Sequence, residues 1–193
     1  MSKIIIFDVE TTGLPKKRNI PSKNYENWPH IVQFSWIIFY DKKITEKSFI
    51  VKPTNYIIPK ESSNIHGISH KDAEEKGIDI RGILIDFLTD CKEASLLIAH
   101  NYNFDINVIC ASCYRYNIKP ETLFNKKKLC TMKTTTDLCK LPGKYGYKYP
   151  KLSELHFYLF NKETELKLHD SLNDVKITLK CFKELCKRNY YKN

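Results

Sequence analysis

Apolar positions along this chain recur with two periods, and the switches between them mark out the elements. Residues 3–10, KIIIFDVE, are rich in β-branched side chains and predict a first strand. Over residues 30–40, Val32, Phe34, Trp36, Ile38 and Tyr40 fall on every second position, the period of a strand with one apolar face. Asp41-Lys42-Lys43 supplies a turn into a third strand over 44–51, so the three form an antiparallel meander. The period then lengthens. A helix is predicted over 78–91, a short buried strand over 95–99, a helix over 103–116 and a fifth, short strand over 127–131. Helices over 132–139, 151–159 and 171–187 follow, the last with Leu172, Val175, Leu179, Phe182 and Cys186 as one core-facing stripe. A meander followed by alternating helices and strands predicts a three-layer α/β domain on a mixed five-stranded sheet.

Two stretches break the periodicity. Residues 15–29, PKKRNIPSKNYENWP, carry too many prolines and polar groups for a regular element, and loops of this length are commonly functional or mobile. Residues 140–150, KLPGKYGYKYP, interleave Lys140, Lys144 and Lys148 with Tyr145, Tyr147 and Tyr149. Such alternation can track a phosphate backbone while stacking on bases. A surface lid whose tyrosines pack on the core fits it equally.

At 193 residues, with 42% hydrophobic and 12% aromatic content, the chain is expected to be one folded domain over 1–193, with no apolar run long enough to span a bilayer. The apolar stretch of MSKIIIFD is too short for an export signal and reads as a strand. Seven cysteines and no export signal point to free thiols in a reducing compartment, cytoplasmic or nuclear, in a protein that is not secreted. Cys110-x-x-Cys113 lies inside a helical pattern without a second pair to complete a zinc site, so buried thiols are expected there. Lys and Arg number 32 against 22 acids, a formal charge of +10. Nucleic acid is the leading polyanionic partner on this count, although a lysine-rich surface also serves solubility alone.

Three acidic stretches carry the chemistry. In FDVETTG, Asp8 and Glu10 stand two apart at the end of an apolar strand and project to one face, where desolvation and mutual repulsion oppose ionisation unless something positive sits there. In HNYNFDINVI a buried strand ends and a helix begins, with Asp105 on the same stripe as Val108 and Ile109. In HDSLND, Asp170 is the expected helix cap, His169 lies outside the helix and Asp174 is on its first turn; Ser171-x-x-Asp174 also reads as a capping box. Four acids at strand ends and helix starts suit Mg²⁺ or Mn²⁺ rather than zinc, and one histidine beside them can change protonation near neutral pH.

FDVETTG, HNYNFD and HDSLND resemble, in order and spacing, the three sequence blocks of the DEDDh 3′–5′ exonucleases, which include the proofreading subunit of bacterial DNA polymerase III and the three-prime repair exonucleases. The likeness covers residues 4–179, and His169, where a sister branch carries tyrosine one position later, selects the histidine branch. It implies a ribonuclease H-like fold and two-metal hydrolysis of the terminal phosphodiester of DNA, with single-stranded or frayed 3′ ends favoured, in proofreading or repair. It further implies that Asp8, Glu10 and Asp174 hold one Mg²⁺, that Asp8 bridges to a second supported by Asp105, with Mn²⁺ as an alternative metal, and that His169 is the general base. Thr11, Thr12, Gly13 and Leu14 would hold the terminal nucleotide, with His66 of NIHGIS and Asn101 as further substrate contacts; an ordinary strand-exit turn also accounts for the glycine. An exoribonuclease, and a non-catalytic nucleic-acid binding module on the same fold, are the competing readings. A polymerase partner or a second copy of the chain is not readable from these residues.

Overall fold

The β-branched run near the N-terminus forms the middle strand of the sheet, β1 (Lys3–Thr11). The computed structural model describes residues 3–191; of the span 1–193 read as one domain, Met1, Ser2, Lys192 and Asn193 lie outside the described residues. β1 pairs antiparallel with β2 (Ile31–Tyr40), which pairs antiparallel with β3 (Lys43–Ile50). On its other side β1 runs parallel to β4 (Ala94–Ala99), and β4 parallel to β5 (Lys127–Cys130). The order β3-β2-β1-β4-β5 is the mixed five-stranded sheet expected from the sequence. Asp41 and Lys42 close the β2–β3 hairpin with φ of 47° and 63°, the doubly positive two-residue turn that matches strand twist.

Alternation along β1 divides its side chains between two helical layers. Ile5, Phe7 and Val9 meet Phe34 and Trp36 of β2, covered by Leu84 and Phe87 of α3 (Ile80–Lys92) and by Val108 and Ile109 of α4 (Tyr102–Arg115). The Phe87 ring lies 5.5 Å from Phe7, 4.8 Å from Phe34 and 5.4 Å from Trp36, so truncating it to alanine would cost about 3–5 kcal/mol. Ile4 and Ile6, with Ile37 and Ile98, face the other way, under Val175, Leu179 and Phe182 of α8 (Ser171–Lys187). A second stripe of α8, Ile177, Cys181 and Leu185, packs on Leu155 and Leu159 of α7 (Leu152–Phe160). The single stripe read from the sequence therefore describes half of this helix. Leu172 and Cys186, counted in it, are only half-buried.

The structure departs from the sequence reading in four further places. Residues 52–77, where the sequence pattern predicts no element, contain α1 (Lys60–His66) and α2 (His70–Lys76). Gly67 ends α1 in the left-handed conformation at φ 80°, and Ser69 with Asp72 forms a capping box that starts α2. The helix expected over 132–139 is split at Thr135 into α5 (Thr131–Thr134) and α6 (Thr136–Cys139). Thr134, Thr135 and Thr136 each turn their hydroxyl back to the carbonyl four residues earlier, and that competition with the helix ladder, added to β-branching, interrupts it. Residues 140–150 are not an irregular loop but a small hairpin, β6 (Pro142–Gly143) and β7 (Gly146–Tyr147). Tyr40, placed on the apolar face of β2, is exposed, because the strand outruns the helices that cover it.

Residues 15–29 hold only a 3-10 turn at Tyr25–Asn27, but the segment is tethered: the Arg115 guanidinium donates to the carbonyls of Tyr25 and Trp28 at 2.8 and 2.9 Å. All seven cysteines are free; Cys110 and Cys113 are buried in the core.

Candidate active site

The same alternation that buries Ile4 and Ile6 under α8 carries Asp8 and Glu10 on to that face, beyond the apolar part of the layer. Their neighbours across the β1–β2 pairing are Ser35 and Gln33. A one-sided strand would turn both to water, yet both are buried here under the start of α8. Ser35 Oγ lies 2.6 Å from Ser171 Oγ and donates to Ser48 Oγ at 2.8 Å. Gln33 accepts from the Ser171 amide at 3.1 Å and donates to Asp170 Oδ2 at 3.3 Å. Asp170 Oδ1 in turn caps the helix by accepting from the amides of Leu172 and Asn173. This polar layer seats the first turn of α8 against the sheet and so delivers Asp174 to Asp8 and Glu10. Sequence reasoning missed it, since Gln33 and Ser35 look like ordinary outward positions.

Asp105 arrives from the parallel side. Because Ile6 pairs with Ile98, the end of β4 runs alongside Asp8, and the chain turns there into α4, with Asn101 at its N-cap and Asp105 in the first turn. Asp105 is 3% exposed. Its Oδ2 and Asp174 Oδ1 are buried oxygens without a hydrogen-bond partner.

The electrostatics express this crowding. Burial, followed by the charges of Asp105, Asp174, Glu10 and Asp170, holds the Asp8 carboxyl well above the usual carboxylate range. Burial, then Glu10 and Asp174, does the same to Asp105. Glu10 is pushed up to about 8 by burial and by Asp174 and Asp170. Asp174 rises to about 6, mainly through burial, with the hydrogen bond from the His169 amide opposing the rise. Among the described residues no lysine or arginine pairs with any of the four. Four crowded carboxyls, two of them with unpartnered buried oxygens and none paired with a lysine or arginine among the described residues, are a donor set for a hard divalent cation.

His169 stands exposed at the rim in the left-handed conformation, φ 61°, which costs a non-glycine residue about 1–3 kcal/mol. Its amide donates to Asp174 Oδ2 at 3.3 Å. Ligand atoms of Glu10, His169 and Asp174 lie within 4.8 Å of one another; Asp8 and Asp105 stand outside that trio but close enough for the charges of Glu10 and Asp174 to raise both.

The remaining residues singled out from the sequence fall around this centre. Thr11 Oγ1 donates to the Gly13 carbonyl at 2.7 Å, and Gly13 has φ 146°, a backbone other residues rarely adopt. Thr12 is engaged structurally: its hydroxyl accepts from the His30 amide and its amide donates to the His30 carbonyl, each at 3.0 Å. Leu14 is 82% exposed. His66 is buried at the end of α1, its Nδ1 accepting from the Ile68 amide at 3.1 Å, while Nε2 has no partner. Burial and the proximity of His169 keep His66 below its usual value and hence neutral. The Asn101 side chain makes no capping bond. A groove of about 780 Å³ beside α7, lined by Phe157, Tyr158, Leu166 and Leu168 among others, contains none of the five central residues.

A mixed sheet with acids converging at the end of its middle strand, under the N-terminus of the last helix, defines a ribonuclease H-like α/β nuclease. The chain belongs to the exonuclease family: the family model described as Exonuclease (RNase_T) matches residues 5–182. Among solved structures, Escherichia coli exonuclease I in complex with a dT13 oligonucleotide is similar, with 18% identity and a TM-score of 0.79 over 98% of this chain and 42% of that one. The zinc ion-bound form of the E. coli exonuclease I–single-stranded DNA complex gives 19% identity and a TM-score of 0.76, covering 98% and 41%. A moderately thermophilic exonuclease I from Methylocaldum szegediense gives 16% and 0.73, again covering 98% and 41%. This chain thus spans about two fifths of the length of those proteins, and the likeness establishes the shared fold. No curated protein matches the sequence.

Proposed function

We propose that this chain is a metal-dependent 3′–5′ exonuclease that removes nucleotides from the 3′ end of DNA, acting best on single-stranded or frayed ends. The observation that carries the proposal is the convergence of Asp8, Glu10, Asp105 and Asp174 at the end of β1 under the start of α8, where the inward oxygens of Asp105 and Asp174 lack a partner and burial raises all four carboxyls, with His169 at the rim. The family supports nuclease chemistry, and the oligonucleotide complexes of the similar proteins favour single-stranded DNA as substrate.

The four carboxyls would hold divalent cations, two Mg²⁺ in our reading, with Mn²⁺ able to replace them. When bound, such ions polarise the scissile phosphate and lower the pKa of the attacking water. His169 accepts the proton of that water as its oxygen adds to phosphorus and the bond to the neighbouring 3′ oxygen breaks, that oxygen taking a proton from solvent. The hydrogen bond from its backbone amide to Asp174 ties residue 169 to the first turn of α8. Gly13 brings the backbone of residues 11–14 close to the terminal nucleotide, and exposed Leu14 meets its base. His66 and Asn101 carry free polar groups that can reach the sugar or phosphate.

Digestion of 5′-labelled linear single-stranded DNA, duplex DNA and RNA, and of internally labelled circular single-stranded DNA, with Mg²⁺ or with chelator, tests this. Stepwise shortening of linear DNA, intact circles and silence in chelator are expected. Faster loss of RNA would replace the DNA assignment, and cleavage of circles would overturn the exonuclease one.

A further inference from the structure

The hairpin at residues 140–150 has no part in the chemistry above, and its exposure decides between the two readings of its composition. Tyr145 at the tip is 91% exposed, Tyr147 on the returning strand 52% and Tyr149 at the foot 56%. None packs on the core as a lid would require. Three large rings held in water by a single small hairpin are an unusual arrangement for a surface with no ligand.

Their presentation is built into the backbone. Gly143 and Gly146 pair across a two-residue turn, and a side chain at Gly143 would stand 2.9 Å from the Gly146 carbonyl, so the arms approach as only glycine permits. The foot is anchored twice: the Lys148 amide donates to the Leu141 carbonyl at 3.0 Å, and its ammonium pairs with Glu154 at 2.5 Å. Lys148 is therefore occupied by an acid, which leaves Lys140, Lys144 and Lys151 as the exposed cations of this segment. Lys144 lies 5.1 Å from the Tyr145 ring centre. The tip and arms enclose a concavity of about 310 Å³ lined by residues 143–149.

The hairpin is also tied to the active site. His100, half-buried just after β4, brings Nε2 to 3.0 Å from the Pro150 carbonyl and Nδ1 to 3.0 Å from Thr131 Oγ1. It immediately precedes Asn101, the cap of the helix that carries Asp105. Burial lowers the His100 pKa to about 4, so this link stays neutral across the working range.

We propose that the hairpin is a second nucleic-acid subsite, in which Tyr145, Tyr147 and Tyr149 stack on bases of the single strand upstream of the 3′ end while Lys144 meets its phosphates. The inference rests on the exonuclease reading for its substrate class. Stacking on tyrosine tolerates every base, so the subsite would raise affinity for long strands without sequence preference. A trinucleotide bound at the active site offers few further bases for three rings to stack on.

The test compares wild type with the triple variant Tyr145→Ala/Tyr147→Ala/Tyr149→Ala and with Lys144→Ala. Fluorescence anisotropy with a 5′-labelled single-stranded 16-mer in chelator reads binding without turnover, and kcat and KM are measured on the 16-mer and on a trimer. The triple variant should bind the 16-mer about tenfold to a hundredfold more weakly, through KM rather than kcat, and lose most of the preference for the 16-mer over the trimer. Lys144→Ala should flatten the salt dependence of binding by about one phosphate contact. Tyr40→Ala, an exposed tyrosine at the far end of β2, is the control for loss of a surface ring and should change neither. Unaltered 16-mer binding in the triple variant would overturn the subsite and leave the tyrosines to a protein partner. An equal loss on 16-mer and trimer would overturn it as damage to the active site. If wild type digests neither substrate, the exonuclease reading fails, while the anisotropy arm still reports on the hairpin.

Discussion

Glu10→Gln separates the electrostatic role of the pocket from its architecture. The side chain keeps its shape and loses only its charge. The folded pKa of Glu10, about 8, exceeds its ordinary value of 4.5, so the folded protein holds this proton more tightly than the unfolded chain does. The associated stability is fully present below pH 4.5 and is lost as pH rises toward 8. At about pH 7.5 the metal-free fold carries a penalty of up to about 4 kcal/mol, at 1.36 kcal/mol per unit. Residual contact of the carboxyl with water screens this to about 1–2 kcal/mol. In chelator at that pH, Glu10→Gln should raise Tm by about 2–8 °C, and near pH 4.5 the two proteins should melt together. Mg²⁺ should reverse the order: at a hundred times its Kd it adds about 2.7 kcal/mol to the wild type and far less to the variant. Circular-dichroism melts across pH, with and without Mg²⁺, supply the measurement. A variant less stable than wild type at high pH in chelator, or a wild type whose Tm ignores Mg²⁺ and Mn²⁺, would refute the view of the pocket as a cation site.

Further outcomes follow from other parts of the site. His169→Asn, chosen because asparagine tolerates the left-handed backbone, should lower kcat by about 10²–10⁴-fold while keeping the Mg²⁺-induced rise in Tm; full activity would remove His169 as general base. Gln33→Leu leaves the Ser171 amide without its partner and should cost about 1–3 kcal/mol in urea unfolding, together with a fall in kcat as the first turn of α8 loosens. An unchanged kcat would show that Asp174 does not depend on that layer. Leu14→Ala should raise KM several-fold on single-stranded DNA with stability within about 0.5 kcal/mol of wild type, since the residue is solvent-exposed; an unaltered KM would remove it from the nucleotide contact.

The local elements were largely legible because their periods are short-range properties. The strand over 30–40, the turn at Asp41-Lys42 and the stripe Val175, Leu179, Phe182 correspond to what is observed, although β2 is buried on both faces where alternation implies one. The two helices in 52–77 also carry a signature, Gly67 as a stop and Ser69-x-x-Asp72 as a start, but seven residues are too few to establish a period. For 140–150 the composition was visible, but whether its tyrosines are buried depends on what else comes near.

The five central residues could be picked from the chain because acids at the end of an apolar strand, and inside the inward stripe of a helix, defy local patterning and call for a reason. Their spatial relation is not a property of any segment. Asp8 meets Asp105 because β1 and β4 run parallel with Ile6 beside Ile98, and meets Asp174 because Gln33 and Ser35 hold the start of α8 on the sheet. Strand register and cross-layer hydrogen bonds form between residues as many as 138 positions apart, and no periodicity along the chain records them. The raised carboxyl pKa values likewise arise from burial and from neighbours that exist only once the layers close.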